Sequence, residues 1–228
     1  MTTHLMNLVV DAAVPRRLED FWTALLGRPV EQPELAFAPV SVEKEVKNRI
    51  HLDLASTSPK QQAELVERAL SLGARPAEIG QGTTPWVVLA DPEGNEFCVL
   101  EPRAQYERAG AVASIVVDAH DPALLAGFWS AATGWEVGVE EAEIVGLCGP
   151  SGRGTWLEFL RNEDVKRVKN RLCLEVAPAA GEDPADEVRR LRAAGATLLE
   201  PPGEHLTRWA LADPEGNEFV VREAGPRR

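Results

Sequence analysis

Side chains able to coordinate a metal or attack a substrate are few in this chain. Four histidines, His4, His51, His120 and His205, and three cysteines, Cys98, Cys148 and Cys173, supply its imidazoles and thiols. No Ser-His-Asp set, glycine-rich phosphate loop or Cys-x-x-Cys pair can be assembled from them, so nucleophilic catalysis has no support. An odd number of cysteines without close spacing suits reduced thiols in a cytoplasmic protein better than a disulfide framework. His51 lies inside "RIHLDL" and Cys98 inside "EFCVL". In such strands an imidazole can bond a backbone carbonyl and a thiol can serve as a small apolar filler. His4 stands near the N-terminus, and His120 and His205 fall in predicted loops.

The elements that position these groups occur twice. "ADPEGNEF" is spelled at Ala90–Phe97 and again at Ala212–Phe219, an offset of 122. "NLVVDAAVPRRLEDFWTALLG" from Asn7 matches "SIVVDAHDPALLAGFWSAATG" from Ser114 at an offset of 107, and "KNRIHLDL" from Lys47 matches "KNRLCLEV" from Lys169 at 122. The change of 15 locates one gap between Gly27 and Leu35, where the second copy carries an extra hairpin. Self-similarity over nearly the whole chain predicts two related domains, 1–103 and 111–224, joined by a linker at 104–110. The missing hairpin should leave the first copy's pocket shallower, so that the two halves divide their labour.

Each copy reads as two strand-helix-strand units. Leu18, Phe21, Trp22, Leu25 and Leu26 recur at the three-and-four spacing of a buried helix face, with Pro15 in the first turn and Gly27 as the stop. Asp121, Pro122, Leu125, Phe128 and Trp129 repeat the pattern. Ser58, Pro59 and Gln61 resemble a capping box opening the next helix, which Gly73 closes; its counterpart runs from Asp183 to Gly195. "DPEGN" between two strands is turn chemistry, whose carboxylates need not touch a ligand. Trp86 precedes Asp91 by five residues and Trp209 precedes Asp213 by four, so the two indoles must face opposite sides of equivalent strands.

Composition sets the outer limits. Thirty-six acidic against 24 basic residues give a formal charge of −12, which repels nucleic acid and anionic membrane surfaces. No window reaches the apolar length of a membrane span, and the N-terminus lacks the pattern of a signal peptide.

The ordered motifs "VPRRLEDFWTALLG" and "DPALLAGFWSAATG", "KNRIHLDL", and "VLADPEGNEFCVL" with its repeat make the chain resemble the vicinal oxygen chelate superfamily, most closely its glyoxalase-like, bleomycin-resistance-like branch. The likeness covers Leu5–Glu101 and Ala113–Glu223. It implies an α+β fold of tandem glyoxalase-like domains, each of two βαβββ units forming a curved mixed sheet around a pocket. In metal-using members, ligands sit on the first and last strand of each unit. Carried over by position, these become His4, Ala36, His51 and Cys98, then Ala111, Glu158, Cys173 and Val220, so the full His and Glu set is absent. If each half builds its own pocket, His4, His51 and Cys98 converge. If units are exchanged between halves, Glu158 joins His51 and Cys98, and the other pocket keeps only His4 and Cys173. Trp86, in the family register, becomes a pocket wall for a planar ligand.

The resemblance, with its depleted donor set, implies a monomer or homodimer that binds a small, partly apolar or aromatic metabolite or drug without a metal cofactor. The alternative is a metal-dependent lyase, isomerase or dioxygenase using His51 and Cys98 with His4 or Glu158. A thiolate there would favour zinc or copper as the divalent ion.

Overall fold

Pro15 and Gly27 bracket the first helix as their backbone preferences dictate. The computed structural model describes residues 3–27, 33–200 and 208–223; His205 lies outside them. Strand β1 (His4–Ala12) leads into α1 (Pro15–Leu26) and β2 (Glu34–Pro39), followed by β3 (Ile50–Leu54), α2 (Pro59–Ser71), β4 (Arg75–Pro76), β5 (Val87–Ala90) and β6 (Glu96–Val99). After a 3₁₀ turn at Ala104–Tyr106 come β7 (Val112–Ala119), α3 (Pro122–Thr133), β8 (Glu136–Glu140), β9 (Ile144–Cys148) and β10 (Trp156–Arg161). The last unit is β11 (Leu172–Ala177), α4 (Pro184–Ala193), β12 (Thr197–Glu200), β13 (Arg208–Ala212) and β14 (Glu218–Arg222). No helix among the described residues is long and apolar enough to cross a membrane.

Local chemistry accounts for the helix ends. Ser58 Oγ accepts from Gln61 N, Asp121 from Leu124 N and Asp183 from Ala185 N, each satisfying a donor that the first turn leaves free. Gln61 reaches back to Thr57 and not to the cap residue itself, a variation on the expected capping box. Gly27 and Gly134 close α1 and α3 at φ 72°, a left-handed geometry that other residues adopt only under strain.

The two sequence halves exchange units. A six-stranded sheet runs β12-β13-β14-β11-β1-β2 and an eight-stranded sheet runs β4-β5-β6-β3-β7-β10-β9-β8. Each therefore joins the first unit of one half to the second unit of the other, through antiparallel seams that set Leu8 opposite Leu174 and Leu52 opposite Ile115. The six-stranded sheet ends at β2 with no counterpart of the β8-β9 hairpin, as the 15-residue gap requires.

One buried apolar cluster serves both sheets. Leu8, Val10, Leu174 and Val176 meet Leu52, Leu54, Ile115 and Phe159 there, with Leu18, Phe21, Trp22, Leu125, Phe128 and Trp129 from the helices. Trp22 packs edge-on to Phe97 with ring centroids 5.0 Å apart, and Trp129 meets Phe219 at 5.2 Å. Helix α1, which follows a strand of the six-stranded sheet, thus packs on β6 of the other.

That exchange explains the repeated octapeptide. Asp91 Oδ1 accepts the amides of Glu93 and Asn95, and Oδ2 accepts Asn95 Nδ2 and, at 3.4 Å, Trp22 Nε1. Gly94 takes φ 87°. Glu93 then receives the free amides of Ala13 and Val14 at 2.7 and 2.8 Å, giving α1 the acceptor that Val14 cannot provide, and pairs with Arg171 at 3.4 Å. Asp213 and Glu215 repeat the arrangement with Trp129, with the amides of His120 and Asp121, and with Arg49 at 3.4 Å. The carboxylates of the turn hold protein to protein in both copies.

Candidate metal centre

The far face of the eight-stranded sheet, away from the shared core, gathers the chemistry. His51 and Asp53 alternate on β3; Asp53 is level with Cys98 on β6, and His51 with Val116 on β7 and thereby with Glu158 on β10. The two-residue period places all four side chains on one side. Ligand atoms of His51, Asp53 and Cys98 lie within 4.8 Å of one another. His51, Asp53, Cys98 and Glu158 are all buried, Glu158 to 2% exposure.

Burial dominates their electrostatics, and the charge of Arg103 offsets it only in part at the two carboxyls. Burial lowers His51 to about 3, helped by the charge of Lys47, so the imidazole is neutral. Burial, then the neighbouring charge of Glu158, raises Asp53 to about 7. Cys98 is pushed up by burial and by Asp53, and Glu158 by burial. Asp53 Oδ1 has no hydrogen-bond partner; His51 Nε2 is 3.4 Å away without a bond between them. A buried carboxylate oxygen left in this state costs on the order of 1–3 kcal/mol unless something binds it.

The inter-half linker covers the face. Tyr106 donates its hydroxyl to Glu158 Oε1 and Oε2 at 2.8 and 3.0 Å, and Gln105 Nε2 donates to Oε1 at 2.9 Å. Tyr106 also meets Trp156 edge-on, and Arg103 lies 5.5 Å over the Trp86 ring. Trp156 in turn lies along a track without side chains: a Cβ on Gly138 would stand 2.6 Å from its ring, and one on Gly146 would stand 3.4 Å from Glu158 Oε1.

Of the residues expected from sequence, His51 and Cys98 come together, Glu158 shares their face across β7, and Trp86 is half-buried at its edge. His4 does not join them. Because β1 pairs with β11, His4 is exposed on the other sheet, so the trio of His4, His51 and Cys98 does not form. Nor does His4 meet Cys173: His4 is level with Ala177 and Cys173 with Val9, at opposite ends of the seam. Trp209 packs on the core and Trp86 on the far face, as their differing offsets require. His120 is exposed, 3.7 Å from Glu163 and outside the site. Asp53, Gln105 and Tyr106 are additions. Alternation in "HLDL" already placed Asp53 beside His51, whereas only its being the single tyrosine of the chain marks Tyr106.

The corresponding face of the six-stranded sheet is quenched. Glu175, the counterpart of Asp53, is buried and accepts from Asn7, from Arg208 at 2.5 Å and from Arg222 at 3.0 Å.

Two exchanged pairs of βαβββ-type units, the first shortened to βαβ, with donors on one far face are a recognisable plan, and the sequence profile of the glyoxalase-like domain matches residues 7–100 and 114–222. The chain belongs to the glyoxalase-like family. Among solved structures, glyoxalase I from Zea mays superposes on this glyoxalase-like chain with a TM-score of 0.72 at 16% identity, covering 97% of this chain and 92% of that one. A putative dioxygenase from Bacillus subtilis subsp. subtilis str. 168 does so with a TM-score of 0.65 at 12% identity, covering 99% and 86%. At such identities the likeness establishes the vicinal oxygen chelate fold and leaves the chemistry to the site. No curated protein matches the sequence.

Proposed function

We propose that the glyoxalase-like chain holds a divalent cation through His51, Asp53 and Cys98 and presents it to a small oxygen-bearing ligand. The carrying observation is the buried, unpartnered Asp53 Oδ1 within 4.8 Å of a neutral imidazole and a thiol. One nitrogen, one oxygen and one sulfur donor form a set that zinc accepts readily. Asp53 is what moves the reading from a metal-free pocket to a metal centre, because it sets a carboxylate directly beside His51 and Cys98, where position-by-position comparison offered Glu158 two strands from His51. When bound, such an ion would supply Lewis-acid polarisation of a ligand oxygen.

The protein's own groups support that role. Burial keeps His51 neutral, the form that coordinates. Cys98 must lose its raised proton on binding, so uptake releases acid. Glu158, its proton affinity raised by burial, can accept a proton on the same face once Tyr106 and Gln105 let go. Trp86 and Trp156 offer aromatic surface, and the linker excludes water. That aromatic wall also favours a second reading, in which a planar ligand binds without metal.

Cobalt(II) titration of chelator-stripped protein separates the two. The metal reading expects stoichiometric uptake with a thiolate-to-cobalt charge-transfer band, lost in Cys98→Ala and weakened in His51→Ala and Asp53→Asn. Absence of uptake by the folded wild-type chain would return the site to metal-free binding.

A further inference from the structure

A cavity lies on the axis of the duplication, distinct from the metal centre. It measures about 410 Å³ and is lined by residues 40, 42–49 and 164–171 with Asp11 and Asp118. Its walls are counterparts of one another: Lys44 and Lys166, Val46 and Val168, Lys47 and Lys169, and Arg49 and Arg171 at an offset of 122, with Asp11 and Asp118 at 107. The cavity therefore sits where the two halves meet about their pseudo-two-fold. Its volume is that of a small-molecule site.

Two further observations define what fits it. Val42, Val46, Val165 and Val168 are 64, 45, 67 and 44% exposed, four of the ten large apolar side chains left exposed among the described residues. Apolar side chains concentrated in one concave place mark an interaction site, whereas scattered ones do not. Six of the seven cations around them are already matched; Arg167 is exposed and has no ion pair among the described residues. Lys44 pairs with Glu96 at 2.7 Å and Lys166 with Glu218 at 2.6 Å; Lys47 pairs with Asp118 at 2.6 Å and Lys169 with Asp11 at 2.5 Å. Arg49 and Arg171 pair with Glu215 and Glu93 at 3.4 Å. Those six ammonium and guanidinium groups are committed to the protein, while the valines between them have no partner. An anionic guest would have to break an existing pair or meet the carboxylates of Glu43, Glu45 and Asp164, which have no ion pair among the described residues, with Arg167 alone to balance them; an uncharged apolar one would not.

We infer that this cavity binds an uncharged, predominantly apolar small molecule, held between the valines of the two halves. A bound guest would bridge the segments that carry Arg49 and Arg171, so occupancy would tighten the joint between halves.

Nile red, an uncharged fluorescent probe, tests the inference on the chelator-treated full chain. Saturable binding at one site per chain is expected, weakened about tenfold or more by the double variant Val46→Asp with Val168→Asp, since a carboxylate would then have to be desolvated against the guest. These side chains are half-exposed, so circular dichroism and thermal midpoint should not change, and His51→Ala should leave the probe's affinity intact. Failure to bind, binding insensitive to the double variant, or loss in His51→Ala would each overturn the site. So would sedimentation showing a dimer that the double variant dissociates, because the valines would then be covered by a second copy.

Discussion

Metal-free stability should depend on pH through two groups of the site that act in opposite directions, over a falling background from Glu158, Asp91, Asp118 and Asp213, whose carboxyls burial also raises. Asp53, raised from 3.8 to about 7, stays protonated in the folded chain while its unfolded counterpart ionises. Between about pH 4 and 7 the native state thus holds one proton more, and stability falls as pH rises. His51, lowered from 6.5 to about 3, is neutral when folded and protonated when unfolded through the intervening range. There the unfolded state holds one proton more, and stability rises with pH. Each proton contributes a slope of about 1.4 kcal/mol per pH unit, so Asp53 alone would remove about 4 kcal/mol across its window and His51 alone would add about 5. Asp53→Asn removes the falling contribution of the site, and His51→Gln removes the rising one. Urea unfolding at several values between pH 4.5 and 6.5, with chelator present and the six tryptophans as reporters, reads both slopes. All other carboxylates titrate in both variants alike, so the slopes should differ by about 2.7 kcal/mol per pH unit. Parallel profiles for the two variants would refute the claim that these side chains are buried and uncompensated together.

Other perturbations probe the frame around the site. Glu215→Ala takes the carboxylate from the Arg49 guanidinium, only 8% exposed, which keeps its bonds to Asn217, Asp164 and Asp118, and removes the acceptor for two backbone amides; a loss of about 1–3 kcal/mol in urea unfolding is expected. Gly138→Ala places a Cβ 2.6 Å from the Trp156 ring, so it should cost about 1–3 kcal/mol and alter tryptophan fluorescence. Gly127→Ala, on an exposed turn of α3 with nothing within 4 Å, should instead stabilise by about 0.5–1 kcal/mol. Tyr106→Phe removes the hydroxyl from Glu158 and should lower stability by about 1–3 kcal/mol while speeding metal uptake in stopped-flow measurements.

Helices and turns were legible because their causes are local. The stripe of Leu18, Phe21, Trp22 and Leu25, the Ser58 cap and the Asp-Pro-Glu-Gly-Asn turn each act within a few residues. The exchange of units was left open between two pairings because both bury the same apolar faces; it depends on β1 meeting β11, a contact between residues some 170 positions apart, such as Leu8 with Leu174. His4 was misplaced by that ambiguity and by register, since even with the units exchanged it is level with Ala177 and not with Cys173. Asp53 was visible in principle, two residues from His51 on a strand, but comparison by family position passed over it. Tyr106 was hidden for a different reason: a segment of seven residues between two copies reads as a tether, and nothing local shows that Glu158 will draw it inward.

The two far faces show how a duplicated chain can keep one frame and diverge in charge. At counterpart positions the eight-stranded sheet carries Asp53, Ser114, Trp86, Leu100 and Glu158, while the six-stranded sheet carries Glu175, Asn7, Arg208, Arg222 and Ala36. In the second set an amide and two guanidinium groups converge on the single buried carboxylate, so it needs no outside cation. In the first set those positions hold a hydroxyl, an indole and a methyl-bearing side chain, none of which carries a charge, and a second carboxylate is added at Glu158, so Arg103 stands as a partial counter-charge to two buried acids. Burying uncompensated acids destabilises a protein unless something it binds restores the balance. The asymmetry between otherwise equivalent faces is therefore the physical argument for placing the cation on the eight-stranded sheet alone.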